Sequence, residues 1–367
     1  MNTIVSFAKK ELIQLKRDPR LIGFLIFMPI LMMVLFGYGL RLEPSNVKMA
    51  YVDNDKSYFS NLIKTNLWNE GYFELYEVSN KEAIVEEIRK GNAKSGLFIS
   101  QTFSKELTDN AQPHILFYVD GTMPSLTTAM KNKSGSLDDE SVTNDMYFLD
   151  EDDTTTVIAP EPFIMDTEIL FNPDKKETWF FLPGVIGTLI MQIALILAGT
   201  SVVREKESNT LEQLLVSPLS KVQFILGKMF PYVVISLFEF YFILFIGWSM
   251  FEIPIPNSSI VGLILLSITY TAAMISLGLM ISTVSQTQQQ AMFLAIFVII
   301  PSILLAGFIF PIEAMDTYIK PIAYIFPFTY FVEIIRGLLI KETLMIDMMV
   351  SYLALVGFSL LFTVIVL

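Results

Sequence analysis

Long uncharged apolar runs alternate along this chain with one extended segment of shorter periodicity. A helix crosses a hydrocarbon core in about 20 apolar residues. Leu21 to Leu40, Trp179 to Val203, Ile260 to Val284, Ala291 to Phe310 and Met348 to Leu367 contain no Asp, Glu, Lys or Arg, and Met229 to Phe251 contains only Glu239. Six transmembrane helices are therefore predicted. The first run is longer than a typical signal-peptide core and no small-x-small cleavage site follows Leu40, so it is expected to stay as a span.

Residues 41–177 read differently, with short apolar runs separated by amphipathic ones. Strands are expected at Val47 to Val52, Tyr72 to Val78, Ser95 to Ile99 and His114 to Val119, with helices between them at Tyr58 to Asn69, Lys81 to Lys90 and Phe103 to Asp109. Ser79 and Glu82 are placed to form a capping box for the middle helix. Ser134 to Thr156 is polar, acidic and without apolar period, the pattern of a solvated loop. Its carboxylates at Asp138, Asp139, Glu140 and Asp150 to Asp153 lack the glycine-centred spacing of a calcium loop. Phe163 to Phe171 is expected to be a last strand, leading to an interfacial aromatic cluster at Trp179, Phe180 and Phe181.

At the N-terminus, Ile4, Ala8, Leu12 and Leu15 recur at helical spacing, with Lys9, Lys10, Lys16 and Arg17 on the other faces. Residues 1–20 are therefore expected to form an amphipathic helix lying on the membrane surface among lipid headgroups. Basic residues in short flanks set orientation. Lys9 to Arg20 and the Arg204, Lys206, Lys221 and Lys228 loop both belong on the cytoplasmic side. Alternation then places 41–177 outside, 204–228 inside, 311–345 outside, and both termini in the cytoplasm of a multi-pass inner-membrane protein. The fold class expected is an α-helical integral membrane protein with six spans, an N-terminal amphipathic helix and an inserted α/β extracytoplasmic domain.

Composition agrees with the pattern. Hydrophobic residues make up 53% of the 367 positions and charged ones 17%, more apolar surface than one soluble core buries. The net charge of −12 sits entirely in residues 41–177, which hold 25 of the 37 acidic and 13 of the 25 basic residues. No basic stripe is left for nucleic acid. With no cysteine and one histidine, His114, disulfides, thiolate catalysis and a His-rich metal site drop out, and no catalytic constellation emerges.

Several segments carry chemistry. Thr210 can cap a short helix whose Leu211, Leu214 and Leu215 form an apolar face, while Arg204, Glu205, Lys206, Glu207 and Glu212 surround it with charge. Such a helix suits docking into a partner's groove, and an interfacial turn among lipid headgroups is the plainer reading. From Pro311 to Glu342 an apolar stretch is broken by Pro311, Pro321 and Pro327 and charged at Glu313, Asp316, Lys320, Glu333 and Arg336. Irregular backbone at membrane depth must be buried in protein or line a cavity, so two short re-entrant helices are expected there. Glu239 is the one ionisable residue inside a predicted span, which makes an intramembrane role its default reading, beside a hydrogen bond to a neighbouring helix. Thr188, Gln192, Tyr270 and Thr271 are candidate neighbours along a substrate path. No G-x-x-x-x-G-K-[ST] phosphate loop occurs, so any ATP must be hydrolysed elsewhere.

The loop REKESNTLEQLLVSPLSKVQFILGKMFPY, Arg204 to Tyr232, closely resembles the coupling segment of type-2 ABC exporter permeases. LAGFIFPIEAMDTYIKPIAYIFPFTYFVEIIRG, Leu305 to Gly337, resembles that family's last external region, and YVDNDKSYFSNLI with FYVDG resembles the variant with a large domain between spans one and two. The resemblance implies an ABC ATPase subunit as partner, holding the ATP and magnesium, with no cofactor in this chain. It implies a second permease copy or homologous permease, and that the re-entrant pair closes the external end of a path, with Pro311, Glu313, Glu333 and Arg336 at the gate. A periplasmic adaptor and outer-membrane channel are further expected partners. The function expected is export of an amphipathic or hydrophobic substrate, such as a drug, peptide antibiotic or lipid, by alternating access. The alternative is a mechanotransmission or sensing complex that moves its external domain without passing a solute; an intramembrane enzyme is disfavoured for want of clustered His, Asp or Cys.

Overall fold

The computed structural model of the chain describes residues 47–366 apart from 70–71, 110, 123, 125–126, 131–162, 209–220 and 317. The expected first span, the N-terminal helix and the acidic loop therefore lie outside the described residues. So do Thr210, Leu211, Glu212, Leu214 and Leu215.

Alternating apolar residues build a five-stranded sheet. Its strands are β1 (Val47–Asp53), β2 (Phe73–Glu77), β3 (Ser95–Ile99), β4 (His114–Asp120) and β5 (Ile164–Leu170), in the order β2-β1-β3-β4-β5. Only the β3/β4 pairing is antiparallel. The period of two sends Met49, Leu97 and Phe117 to one face, under helices α1 (Tyr58–Asn69) and α3 (Phe103–Thr108). Ala50, Val52 and Tyr118 go to the other, under Ile84 and Ile88 of α2 (Lys81–Lys90).

The cap of α2 differs from the expected capping box. Asn80, not Ser79, is the extended N-cap residue, and its Oδ1 accepts the Ala83 amide at 2.8 Å. The helix starts one residue later than a Ser79 cap requires, so Ser79 is too far back to reach. At the other end Gly91 adopts φ +82, the left-handed conformation glycine enters without a Cβ clash, and closes the helix through bonds to Ile88 and Glu87 carbonyls.

Five described helices are long and apolar enough to cross a membrane: 177–207, 229–251, 257–284, 288–305 and 349–366. The first is composite. Helix α4 (Glu177–Gln192) passes into a π-helical segment (Ile193–Ala198) and continues as α5 (Gly199–Glu207). Next come α6 (Lys221–Phe251), α7 (Ile260–Val284), α8 (Gln288–Leu305), the short α9 (Lys320–Ala323), α10 (Pro327–Leu339) and α11 (Met349–Val366). Helix α7 is central, packing against α5, the π segment, α6, α10 and α11. Phe238, Phe242 and Trp248 of α6 and Val350, Leu360 and Val364 of α11 stand exposed, as befits surface solvated by lipid tails.

The spans end differently from their apolar runs. Within the 204–228 segment, helix α5 continues through Glu207 and α6 already begins at Lys221. Polar residues extend a helix as readily as apolar ones once it leaves the hydrocarbon. The span expected over Ala291 to Phe310 instead starts at Gln288, capped by the Thr287 side chain, and stops at Leu305. Of the expected re-entrant pair, α9 is a single turn, while α10 is buried on nearly every side.

Helices α5 and α7 cross at backbone distance. A Cβ on Gly278 would lie 2.3 Å from the Ala194 carbonyl oxygen, and one on Gly199 would lie 3.3 Å from that of Gly278. The side chain of Ser282 accepts the Val203 amide on the same side of the crossing.

Candidate functional site

Three groups of residues singled out by the sequence fall in three separate places. The first is the end of α5. Lys206 donates to the carbonyls of Ser282, Thr283 and Ser285 at 3.3, 2.9 and 3.2 Å, so its ammonium closes the C-terminus of α7, where the helix dipole is negative. The neighbouring Glu207 accepts from the Gln288 amide at 2.8 Å and from its side chain at 2.5 Å, at the positive N-terminus of α8. Two adjacent residues of opposite charge thus clamp one helix end onto two others of matching polarity. Arg204 is exposed beside them, and Glu205 is half-buried. Ser282, Ser285 and Gln288 escaped the sequence reading, because uncharged polar residues in a short loop carry no signal of which charge they will meet.

The second group lies inside the helices. Thr188 returns its hydroxyl to the Gly184 carbonyl at 2.8 Å, and Tyr270 donates to the Gly187 carbonyl at 3.0 Å. Tyr270 also stacks on Phe331 with centroids 4.1 Å apart, so α4, α7 and α10 meet there. Thr271 is buried with its hydroxyl unbonded, and Gln192 is half-buried just before the π segment. Glu239 stands on α6, half-buried, with Oε2 enclosed and unbonded. Thr188 and Tyr270 are brought together; no hydrogen bond joins Glu239 to them among the described residues.

The third group sits where the α/β domain meets the helices. Arg336 is 4% exposed and donates to the carbonyls of Gly307, Phe180 and Phe308 at 2.7, 3.1 and 3.2 Å, its guanidinium 4.1 Å from the Phe180 ring centroid. It pins the end of α8 to the start of α4. Pro311 is buried and Glu333 is exposed on α10. Glu313 pairs with Lys94 of the α/β domain at 3.2 Å.

Behind that pair lies an ion cluster the sequence did not disclose. Lys341 contacts Asp120 at 2.5 Å and donates to the Ile88 carbonyl at 3.1 Å, while Thr343 donates to the Arg89 carbonyl at 3.0 Å. Lys94 lies 4.0 Å from Asp120. Burial pushes the Asp120 carboxyl up, but Lys341 and Lys94 outweigh it and hold it below its ordinary range. Burial opposes the Lys94 charge too, and Glu313 and Asp120 more than restore it. Lys341 is lowered by burial, with Asp120 opposing. Opposite charges thus outweigh burial for Asp120 and Lys94, while for Lys341 burial prevails.

A chain of apolar spans packed around a central helix, bearing an α/β domain fastened to one end, is a polytopic membrane protein of transporter-permease type. The ABC-2 family transporter protein family matches residues 21–367, and the chain belongs to that family. It is 25% identical over 356 residues to the probable multidrug ABC transporter permease YbhS of Escherichia coli strain K12, covering 96% of this chain and 92% of that one. It is 26% identical over 340 residues to the probable multidrug permease YbhR of the same strain, covering 91% and 89%. The ABC transporter G family member 20 of Dictyostelium discoideum is 21% identical over 338 residues, 46% of its length. The chain is thus the transmembrane permease subunit of an ABC transporter, and the family implies an ABC ATPase as its partner.

Proposed function

We propose that this permease exports an amphipathic or hydrophobic substrate from the cytoplasm or inner membrane, taking its energy from a separate ATPase subunit. ATP and magnesium are held on that subunit, and two permeases, identical or homologous, form the path. The α5 end and the 209–220 segment face the cytoplasm in this reading, and the α/β domain faces outward, where an adaptor and an outer-membrane channel can meet it. The observation that carries the reading is the clamp of Lys206 and Glu207 on the ends of α7 and α8. A push on Arg204 to Leu215 by a closing ATPase dimer is thereby delivered to three spans at once, which is what switching between inward-open and outward-open arrangements requires. Thr188, Gln192, Glu239, Tyr270 and Thr271 are proposed to lie along the path, with Pro311, Glu313, Glu333 and Arg336 at its outer gate. Two relatives named as probable multidrug permeases support a drug-like substrate.

The Asp120–Lys341 contact favours a second reading, in which helix motion is passed to the α/β domain without solute transfer. The two separate on one experiment. The permease and its ATPase are reconstituted in liposomes, and ATP-dependent movement of hydrophobic dyes is measured beside ATP hydrolysis, for the native chain and for Glu207→Lys. Export expects dye movement that Glu207→Lys abolishes while hydrolysis continues. Hydrolysis without movement of any dye or lipid probe, accompanied by nucleotide-dependent displacement of the α/β domain, rejects export in favour of mechanotransmission.

A further inference from the structure

Glu239 sits near the middle of the 23-residue span Met229–Phe251. At about 1.5 Å per residue it lies roughly 15 to 18 Å from the two ends, too deep for a short carboxylate to reach water or headgroups. A carboxylate at that depth is unfavourable unless a cation meets it or a partner bonds it. The protein supplies neither. None of the six apolar runs of the sequence contains Lys, Arg or His, so a second copy of the chain would bring no cation either. Among the described residues no charged side chain acts on Glu239, and its Oε2 makes no hydrogen bond. At the junction with the α/β domain, by contrast, Asp120 meets Lys341 and Glu313 meets Lys94.

The carboxylate stands at the edge of an open aromatic face. Phe238 and Phe242 stack on each other with centroids 5.7 Å apart and planes 10° from parallel, and they are 69% and 50% exposed. Tyr241 and Phe245 continue that face. Ile235 lies four residues before Glu239 and Phe242 three after, so all three share one flank of α6. Glu239 itself is half-buried and keeps accessible surface there. Aromatic faces attract cations, most strongly where water is excluded. A lone anion beside exposed rings in hydrocarbon therefore selects one chemistry, a positive charge shielded by enough apolar surface to enter the bilayer. A lipid's amine headgroup does not qualify, because it stays at the interface. A metal ion does not qualify either, since no group of carboxylates or histidines that could hold one occurs among the described residues.

We propose that Glu239 is the counter-charge for a lipophilic cation whose apolar substituents lie on Phe238 and Phe242. This rests on the reading of the chain as an exporter and names the charge its substrate carries, as in a quaternary ammonium or phosphonium ion. A neutral or anionic amphiphile gains nothing from the carboxylate, so charge sign is the specificity the site adds to hydrophobicity.

Tetraphenylphosphonium and tetraphenylborate have nearly the same size and shape and opposite charge, so the difference between them isolates the carboxylate. Binding of each to the detergent-purified full chain is measured by equilibrium dialysis at neutral pH, with empty micelles as blank. The phosphonium is expected to bind about tenfold more tightly than the borate. Glu239→Gln keeps the shape and removes the charge; it should weaken the phosphonium by about tenfold and not weaken the borate. Phe242→Leu should weaken the phosphonium by about threefold. Glu252→Gln, at the outer end of α6 where Glu252 pairs with Lys176, serves as control, and melting curves establish that each variant is folded. Equal binding of the two ions, or phosphonium affinity unchanged in folded Glu239→Gln, overturns the proposal. If Glu239→Gln fails to fold, the preference of the native chain between the two ions decides alone. The reconstituted permease and ATPase are tested separately for ATP-dependent movement of the neutral dye Nile red. Cation-selective binding without dye movement would sink export and leave the cation site standing; dye movement without charge preference in binding would sink the site alone.

Discussion

Lys341 and Asp120, 221 residues apart in sequence, meet at 2.5 Å in a buried ion pair that joins the helical part of the chain to the α/β domain. Lys341 is 7% exposed and Asp120 1%, so neither charge can fall back on water if its partner is removed. Lys341 also sits at the C-terminus of α2, where the carbonyl of Ile88 accepts from it and the helix dipole favours a cation.

Removing one partner should therefore cost more than removing both. Lys341→Met is expected to destabilise by up to about 3–5 kcal/mol, because it leaves the buried Asp120 carboxylate with only Lys94, 4.0 Å away, as counter-charge. Adding Asp120→Asn should recover part of that loss. Melting midpoints of the native chain, both single variants and the double variant form a cycle that reads the coupling directly; additive losses would deny it.

Acid should weaken the α/β domain through Asp53. Its carboxylate takes Lys64 at 2.7 Å, the Ser60 hydroxyl at 2.8 Å and the Lys56 amide at 2.9 Å. Burial pushes this carboxyl up, but those hydrogen bonds outweigh it and the folded value lies below the ordinary one. A depressed carboxyl contributes stability that is present above the unfolded value, near pH 3.9, and is lost as pH falls through the folded value. The melting midpoint should hold from pH 7 to about 5 and drop below about 4. Asp53→Asn should start lower and fall less steeply; an unchanged acid slope would remove Asp53 from the account.

Lys206→Met removes the cation from the end of α7. A helix-terminal charge contributes about 0.3–1 kcal/mol, up to about 2 when partly buried, so a small drop in melting midpoint is expected. Lys206→Arg should retain most of it. Hydrogen exchange at Ser282 to Ser285 should rise in the methionine variant, and unchanged protection there would show that the carbonyls do not need the lysine.

The backbone crossing at Gly278 admits no side chain. Gly278→Ala should cost about 1–3 kcal/mol through overpacking against the Ala194 carbonyl. Gly357→Ala is the matched control, since nothing lies within 4 Å of a Cβ there. Similar melting curves for the two variants would mean that α5 and α7 separate easily.

Much of this architecture is legible in the sequence, and what is hidden has a physical reason. A short continuous apolar run marks His114–Asp120 as a strand, which is buried on both faces from Phe117 on, and the apolar run at Ile260–Val284 marks its helix end to end. Helix ends at Glu207 and Lys221 are hidden, because composition records where hydrocarbon stops and not where hydrogen bonding stops. Asp120 lies inside the FYVDG run that drew attention by resemblance, yet nothing local names Lys341 as its partner. Pairings between distant segments belong to packing, which the order of residues does not display. The capping choice between Ser79 and Asn80 turns on one residue of register, finer than any periodicity resolves.

The six π-helical residues at Ile193–Ala198 set the rotation of the rest of the first described span. A π turn holds one more peptide between bonded partners than an α turn, so everything beyond Ala198 is rotated about the axis relative to an unbroken α-helix. Lys206 and Glu207 reach their seats on α7 and α8 in that rotated setting. An unbroken α-helix over the same residues would present both at a different angle, so the seating of the clamp depends on the winding at mid-span.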